Sequence, residues 1–122
     1  MQPGIDLLMI GELDRLTTRP WFLRYVFADP EMAHARSLGQ GRRREFLAGR
    51  FAAKEAVLKV LGIGMFNGVP PRDIWLLHTD LGGPTVDLYG AALRAARRNR
   101  ISKVAVSITH KGDLVAAVAV GW

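Results

Sequence analysis

Glu55 and Lys59 are the residues of this 122-residue chain whose types and spacing best suit chemistry. They lie in a segment from Glu45 to Leu61 that is rich in Ala, Leu, Lys, Arg and Glu and is followed by Gly62, a pattern typical of a helix and its end. Residues four apart face the same side of a helix, so the two charges are neighbours. Read alone, the pair is an ordinary i,i+4 ion pair, and the alternative is that both charges belong to a site for a ligand.

The other residues of this helix favour burial on several sides. Apolar side chains cover more than half of its circumference, and the small Ala48 and Ala52 flank Glu55 and Lys59. That arrangement predicts a groove which another chain or a ligand can approach closely. Arg50 and Lys54 point into the apolar arc, where a charge needs a partner, a route to solvent or a bound anion.

Two further residues outside the helix are candidates for a site. Asp6 interrupts an apolar run that opens the chain, and it is either a helix N-cap or a ligand. His110 stands at the turn between two predicted strands, 104–109 and 114–120. A histidine at a turn is commonly inert, so its residue type alone does not decide its role.

The remaining pattern predicts an α+β fold in a single domain over residues 1–122. The final strand is almost continuously apolar, which predicts a central or interface position. An aromatic block at 19–27 favours core packing, Asp29 reads as an N-cap, and Gly39 to Gly41 as a hinge. The other predicted elements are a helix from Asp29 to near Gly39, strands at 74–78 and 84–88 joined by a turn at 80–83, and a helix at 90–99.

Three motifs resemble those of the holo-acyl-carrier-protein synthases, the short bacterial type of phosphopantetheinyl transferase. FAAKEAVLK, from Phe51 to Lys59, resembles the central signature, and the preceding FLAGR is similar to this subfamily. Gly4-Ile5-Asp6 resembles the Gly-x-Asp that ends the first strand, and Ser107-Ile108-Thr109-His110 resembles the Ser-x-(Ser/Thr)-His motif. The resemblance implies a single domain in which an antiparallel sheet packs on a long signature helix.

The resemblance implies Mg²⁺-dependent transfer of 4′-phosphopantetheine from coenzyme A to a serine of an apo acyl or peptidyl carrier protein. Asp6 and Glu55 are the implied metal ligands, and carboxylate oxygens suit Mg²⁺. Lys59 is the implied phosphate-binding cation, and the base is either Glu55 or a metal-bound water. Relatives commonly carry several strand residues before the Gly-x-Asp motif, so either the first strand is short or the true start lies upstream.

Further residues are implied to bind coenzyme A or the carrier protein. His110 and Arg50 would hold the 3′-phosphate, the glycine-rich loop would lie along pantetheine and pyrophosphate, and a Gly-Pro turn would lie near adenine. The basic residue that relatives place between that glycine and proline is missing. The residues concerned are Arg50, Lys59, Gly62, Gly64, Gly83, Pro84 and His110 for coenzyme A, and Arg15 and Arg24 for the carrier protein.

Charge and composition leave two other functions open. A net charge of +6 and a pI near 10.5 predict an acidic partner, which fits an acidic carrier protein or a nucleic acid bound through Arg42 to Arg44 and a second cluster at 94–100. A non-catalytic relative within a larger synthase is the third reading. There is no cysteine, which is compatible with any compartment. No basic segment followed by an apolar signal core opens the sequence, and no apolar run approaches the ~20 residues that span a bilayer, so we expect a cytoplasmic protein that binds no membrane. A wide apolar arc, an apolar final strand and the resemblance predict a homotrimer with intersubunit sites.

Overall fold

The fold is α+β, as predicted, with one long helix packed across an antiparallel sheet. A computed structural model describes residues 1–81 and 83–122, and within these ranges it contains five strands and four α-helices. The strands are β1 (Gln2–Met9), β2 (Ile74–His78), β3 (Pro84–Leu88), β4 (Val104–Lys111) and β5 (Leu114–Gly121). The helices are α1 (Pro20–Val26), α2 (Asp29–Arg36), α3 (Gln40–Val60) and α4 (Gly90–Arg98). Short 3₁₀ turns occupy Ile10–Leu13, Leu16–Thr18 and Pro71–Asp73.

Helix α3 carries the signature motif and is longer than its composition predicted. It begins at Gln40, five residues before the predicted start at Glu45, and Gly39 is its N-cap. The prediction of a hinge at Gly39 to Gly41 is therefore wrong, and Arg42 to Arg44 lie inside the first turns of the helix. Arginine has a higher helix propensity than glycine, so the three consecutive arginines favour continuation of the helix through Gly41.

The main sheet has the strand order β1-β5-β4, and both pairings are antiparallel. Strand β5 is central, as its apolar sequence predicted. Strand β1 pairs along its whole length, from Gln2 opposite Gly121 to Met9 opposite Leu114. Asp6 therefore lies in the middle of an eight-residue strand. The expectation of a short strand ending at Asp6 and the N-cap alternative are both wrong, because pairing with β5 continues past the carboxylate.

Close backbone contact joins this sheet to α3. A Cβ atom on Gly4 would lie 2.0 Å from the carbonyl oxygen of Ala56, and one on Gly49 would lie 3.3 Å from Ile108. Ala48 and Ala52 are buried in the same contact region. The small residues thus admit the protein's own strands, and the prediction of an open groove beside Ala48 and Ala52 is wrong.

A second layer covers the other side of α3. Strands β2 and β3 form the predicted hairpin, with His78 opposite Pro84. The predicted turn at 80–83 includes Gly82, which lies outside the described residues. Ala28, not Asp29, is the N-cap of α2, and Glu31 Oε1 accepts a hydrogen bond of 2.7 Å from the Ala28 N–H group. A carboxylate three residues into a helix can satisfy the N-cap amide, so Asp29 becomes the first helical residue.

Phe22 and Phe27 of the aromatic block pack into the core, as predicted, whereas Trp21 is half-exposed. The block forms α1, whose Phe22 is buried against Phe27 and Phe51. The helix at Gly90–Arg98 also matches its prediction, with Ala92, Ala95 and Ala96 inward. In the part of the chain that the structure describes, no helix is both long and apolar enough to cross a membrane.

Candidate active site

Strand β1 and helix α3 bring Asp6, Glu55 and Lys59 together. Lys59 Nζ donates a hydrogen bond of 2.7 Å to the Ile5 carbonyl oxygen and lies 3.5 Å from Asp6 Oδ1. The absence of a side chain at Gly4, two residues before Asp6, lets the strand lie directly against the helix at Ala56. Lys59 thus forms one polar cluster with Ile5 and Asp6, although these residues precede it by 54 and 53 positions in the sequence.

Burial and mutual repulsion govern the charges of this cluster. Burial raises the pKa of Asp6, and the nearby Lys59 ammonium opposes that effect. Burial also raises the pKa of Glu55, the negative charge of Asp6 raises it further, and Lys59 again lowers it. Two carboxylates therefore share one lysine as their nearby counter-charge, which leaves the cluster favourable for an added cation.

The donor set fits a divalent cation of the Mg²⁺ type. Both carboxylates are half-buried and offer oxygen ligands. The charge of Asp6 raises the pKa of Glu55, so the two carboxylates lie near each other. No third His, Cys, Asp or Glu joins them within residues 1–81 and 83–122. Mg²⁺ commonly takes one or two carboxylates and completes its coordination with water and substrate phosphates, so two protein ligands are sufficient.

Arg50 lies on a different side of α3 from this cluster. It precedes Glu55 by five residues, which corresponds to about 140° around a helix with 3.6 residues per turn. Its guanidinium group is buried in the layer formed by α2 and β2, where it contacts His78 Nδ1 and lies 4.5 Å from the Phe46 ring centroid. Within one chain, Arg50 and the carboxylates consequently face different surroundings.

His110 is also separate from the carboxylates. It lies in β4, one residue before the end of the strand, and not in the turn itself. Its Nε2 atom is 3.9 Å from Glu45 Oε2, and both side chains are exposed. The described chain therefore presents three separate polar regions: the carboxylate cluster, the Arg50 region and the His110 region.

The glycine candidates lie in loops, whereas Pro84 is the first residue of β3. Gly62 follows the C-terminus of α3 with φ +73°, and its N–H donates to the Lys59 carbonyl oxygen at 3.1 Å. Such a left-handed position favours glycine. Gly64 approaches the Asn67 side chain, while Gly83 immediately precedes β3, which begins at Pro84. The loop that contains Gly62 and Gly64 thus begins at the end of α3 where Lys59 lies. Lys59 is one helical turn from Glu55.

The basic residues divide into structural and accessible ones. Arg44 forms a two-pronged pair with Asp14 at 2.7 and 2.9 Å, and Arg43 Nε donates to the Ala35 carbonyl oxygen at 3.0 Å. These two members of the basic run are occupied in holding neighbouring segments. Arg15 is exposed between two 3₁₀ turns, and the exposed Arg24 lines a cleft of about 990 Å³ that also contains Arg36, Arg72, Trp75 and Tyr89.

The structure also reveals polar residues to which the sequence assigned no chemistry. His34 and His78 match no motif, yet their rings stack at 6.3 Å and both lie beside Arg50. Lys54 meets its need for a partner in Glu31, with Nζ to Oε1 at 2.7 Å and both side chains fully buried. No local sequence signal marks either contact, because each joins different elements.

Comparison with known proteins agrees with this fold and site. The family model for the 4′-phosphopantetheinyl transferase superfamily matches residues 2–119. The holo-[acyl-carrier-protein] synthase of Natranaerobius thermophilus is 36% identical over 121 residues, which cover 98% of this chain and 94% of the relative. The chain therefore belongs to the 4′-phosphopantetheinyl transferase superfamily, among its holo-[acyl-carrier-protein] synthases.

Solved structures show the same relationship. The crystal structure of holo-[acyl-carrier-protein] synthase from Neisseria meningitidis superposes with a TM-score of 0.85 at 31% identity, covering 99% of this chain and 97% of that one. A synthase from Bacillus anthracis in complex with coenzyme A (3′,5′-ADP) gives a TM-score of 0.81 at 28% identity, with coverages of 98% and 94%. The resemblance inferred from the three motifs is thereby confirmed at the level of family and fold.

Proposed function

We propose that this protein transfers the 4′-phosphopantetheine group of coenzyme A to a serine hydroxyl of an apo acyl carrier protein. The observation that carries the proposal is the convergence of Asp6, Glu55 and Lys59 from two elements far apart in sequence. Family membership supports the same reaction, since the matched relatives are named holo-[acyl-carrier-protein] synthases.

In the proposed reaction, the serine oxygen bonds to the β-phosphorus of coenzyme A. The bond from that phosphorus to the bridging oxygen breaks, and 3′,5′-ADP leaves with the bond electrons. The serine proton passes to Glu55 or to a water. Negative charge accumulates on the leaving phosphate as the bond breaks, so the site must supply positive charge there.

Three side chains of this cluster would help to stabilise that negative charge. Asp6 and Glu55 would hold the divalent cation, which when bound supplies a counter-charge for the pyrophosphate. Lys59 has a half-exposed side chain, so its ammonium group can turn from Asp6 toward a phosphate oxygen. Without substrate, its hydrogen bond to the Ile5 carbonyl oxygen holds the ammonium group beside the carboxylates.

The binding of coenzyme A is proposed to involve residues beyond this cluster. Arg50 and His110 would bind the 3′-phosphate, Gly62 and Gly64 would lie along pantetheine and pyrophosphate, and Gly83 and Pro84 would lie near adenine. These residue assignments follow the family resemblance, and relatives whose structures contain coenzyme A or 3′,5′-ADP support coenzyme A as the ligand. Backbone at glycine positions can approach a ligand closely, since no side chain intervenes.

The carrier protein is proposed to dock on the basic surface around α1. Arg15 and Arg24 are exposed, and the cleft beside Arg24 contains two further arginines, Arg36 and Arg72. A cationic surface with this density of guanidinium groups attracts an acidic partner and accelerates encounter.

We also propose a homotrimer with sites shared between subunits. The outer face of the main sheet exposes a row of apolar side chains, among them Ile5 (63%), Leu7 (66%) and Met9 (53%) on β1. Ile5 pairs with Val118 and Met9 with Leu114, so the row continues across β5. A contiguous apolar face of this kind calls for a partner, and cyclic symmetry covers it in every subunit. The separation of Arg50 and His110 from the carboxylates is expected if neighbouring chains complete each site.

The test is a mass measurement on carrier proteins. The purified protein is incubated with coenzyme A, Mg²⁺ and several apo acyl and peptidyl carrier proteins, and each product is weighed. We expect one phosphopantetheine to be added to a single serine, with no addition when a chelator removes Mg²⁺ or when that serine is replaced by alanine. Unchanged masses for every carrier protein, with coenzyme A and metal present, would refute the proposed activity.

A further inference from the structure

The loop that follows α3 is joined to α1 by a stack of two aromatic rings. The ring of Phe66, in the glycine-rich loop at 62–68, lies nearly parallel to the ring of Tyr25 on α1. The two ring centroids are 5.1 Å apart and the ring planes differ by 12°. Parallel rings at this distance are offset, which is a favoured arrangement of an aromatic pair. The stack therefore connects the loop to a helix from a distant part of the sequence.

The backbone at Phe66 is strained. Its φ angle is +65°, in the left-handed region that residues with bulky side chains rarely adopt. Gly62 and Gly68 of the same loop also have positive φ angles, which glycine adopts without steric cost. A phenylalanine in this conformation needs a compensating contact. The stack on Tyr25 supplies one, and its gain is comparable in size to the cost of the left-handed backbone.

Burial does not explain why this position holds a phenylalanine. Phe66 is 56% exposed, whereas Ile63 and Met65 are the neighbouring loop residues that pack partly against the core. Because the strain and the stack roughly offset each other, the net contribution of Phe66 to the stability of the fold is small. What the stack determines is the conformation of the loop.

Both ends of this connection lie beside the proposed site. The loop begins at the last turn of α3, where the Gly62 N–H group donates to the Lys59 carbonyl oxygen at 3.1 Å. At the other end, the guanidinium carbon of Arg72 lies 5.8 Å from the centroid of the Tyr25 ring, a cation–π contact. Tyr25 is thus held by its helix and by a second side chain, so it offers Phe66 a rigid support.

We propose that Tyr25 and Phe66 are positioning residues whose stack holds the loop at 62–68 in the conformation that receives the pantetheine arm of coenzyme A. The inference rests on the proposed function for the identity of this ligand. A loop that is already ordered loses less conformational entropy when a ligand binds, so the affinity is higher. Neither ring has to touch the reacting atoms for this effect.

The first variant that tests the proposal is Phe66→Asn. It removes the ring, and asparagine tolerates the left-handed backbone, so the stack and the strain are lost together. We expect the melting temperature to change by only a few degrees and the KM for coenzyme A to rise about tenfold. Because binding itself then orders the loop, kcat should stay within about twofold of wild type. A residue important only for folding would instead lower the melting temperature and leave KM unchanged.

Further variants test whether the stack, and not either residue alone, is responsible. Tyr25→Leu removes the other ring and should also raise the KM for coenzyme A. Combining it with Phe66→Asn should add little, because the stack is already absent in each single variant. Phe66→Tyr keeps an aromatic ring at the same position and is the matched control, with a KM like that of wild type. Fully additive effects of the two single changes would overturn the inference.

Hydrogen exchange measures the loop without relying on activity. The Asn67 amide donates to the Gly64 carbonyl oxygen at 3.2 Å, and its protection should fall in Phe66→Asn and Tyr25→Leu but not in Phe66→Tyr. Unchanged protection in the first two variants, or lower protection with an unchanged KM, would overturn the inference while transfer by the wild type upholds the transferase proposal. If calorimetry instead shows that the wild type does not bind coenzyme A, the transferase proposal fails, and the role of the stack in binding that ligand fails with it.

Discussion

Gly4 lies so close to the backbone of Ala56 that a Cβ atom added to it would be 2.0 Å from the Ala56 carbonyl oxygen. Backbone cannot yield as the tip of a flexible side chain can, so a methyl group here must push β1 away from α3. Asp6 is two residues along the same strand, so such a displacement would also change its position relative to Lys59.

The first prediction is that Gly4→Ala lowers the free energy of unfolding by about 1 to 3 kcal/mol. Transfer activity should fall as well, because Asp6 moves away from Glu55. Gly41→Ala is the matched control: nothing lies within 4 Å of the added Cβ atom, and alanine favours the helix by up to about 1 kcal/mol. Urea denaturation of both variants measures the difference. A Gly4→Ala protein as stable as wild type would contradict the close packing.

A second prediction concerns the carboxylates. Glu55→Gln should abolish transfer, and Asp6→Asn should reduce it strongly with partial recovery at high Mg²⁺, because each change removes one charge from the proposed metal site. Asp87→Asn, an exposed carboxylate on β3, should leave transfer unchanged. Circular dichroism and thermal melting check that the fold is intact. Full transfer by Glu55→Gln at ordinary Mg²⁺ would exclude the metal-ligand role.

The third prediction tests whether sites are shared between subunits. Inactive Glu55→Gln protein and impaired His110→Ala protein are unfolded together, refolded and assayed. If one chain supplies Glu55 and the next supplies His110, mixed trimers contain some sites with both native residues, and activity exceeds that of either parent. Light scattering reports the assembly. A monomer at assay concentration, or no gain after proven exchange of subunits, would refute the shared site while leaving the transferase proposal intact.

The fourth prediction concerns the buried pair of Glu31 and Lys54. Both side chains are fully buried, and Lys54 also donates to the carbonyl oxygens of Pro71 and Ile74 at 2.9 and 2.7 Å. Glu31→Gln leaves the ammonium group without its counter-charge and should cost about 3 to 5 kcal/mol. Asp14→Asn, which breaks the exposed pair with Arg44, should cost far less. Equal losses in urea denaturation would show that the buried charge is not important for stability.

Titration of Lys54 checks the same pair independently. Burial lowers the pKa of Lys54 to about 8, and the negative charge of Glu31 opposes this effect. Between about pH 8 and about 10.4, the pKa of an unperturbed lysine, the unfolded chain binds more protons than the folded chain. This group alone therefore makes the free energy of unfolding rise with pH across that window. NMR of the lysine side chain should show the low pKa, and Glu31→Gln should lower it further.

The sequence by itself determined the features that depend on local repeats. The helical period placed Glu55 and Lys59 on one face, because this follows from the geometry of a single element. The apolar run at 114–120 predicted a central or interface position for β5, and the strand is central. The sequence also correctly indicated that Lys54 needs a partner. The three motifs together identified the family, since their order and spacing are specific even where each one alone is weak.

Only the tertiary structure decided which elements meet. Asp6 lies in mid-strand because β1 pairs with β5 at the far end of the chain, and the expected groove beside Ala48 and Ala52 is filled by the protein's own strands. The contact between His78 and Arg50 also depends on the tertiary structure, because the two residues are 28 positions apart in the sequence. Such contacts depend on how whole surfaces fit together, and side-chain periodicity within one element does not record which other surface will cover it.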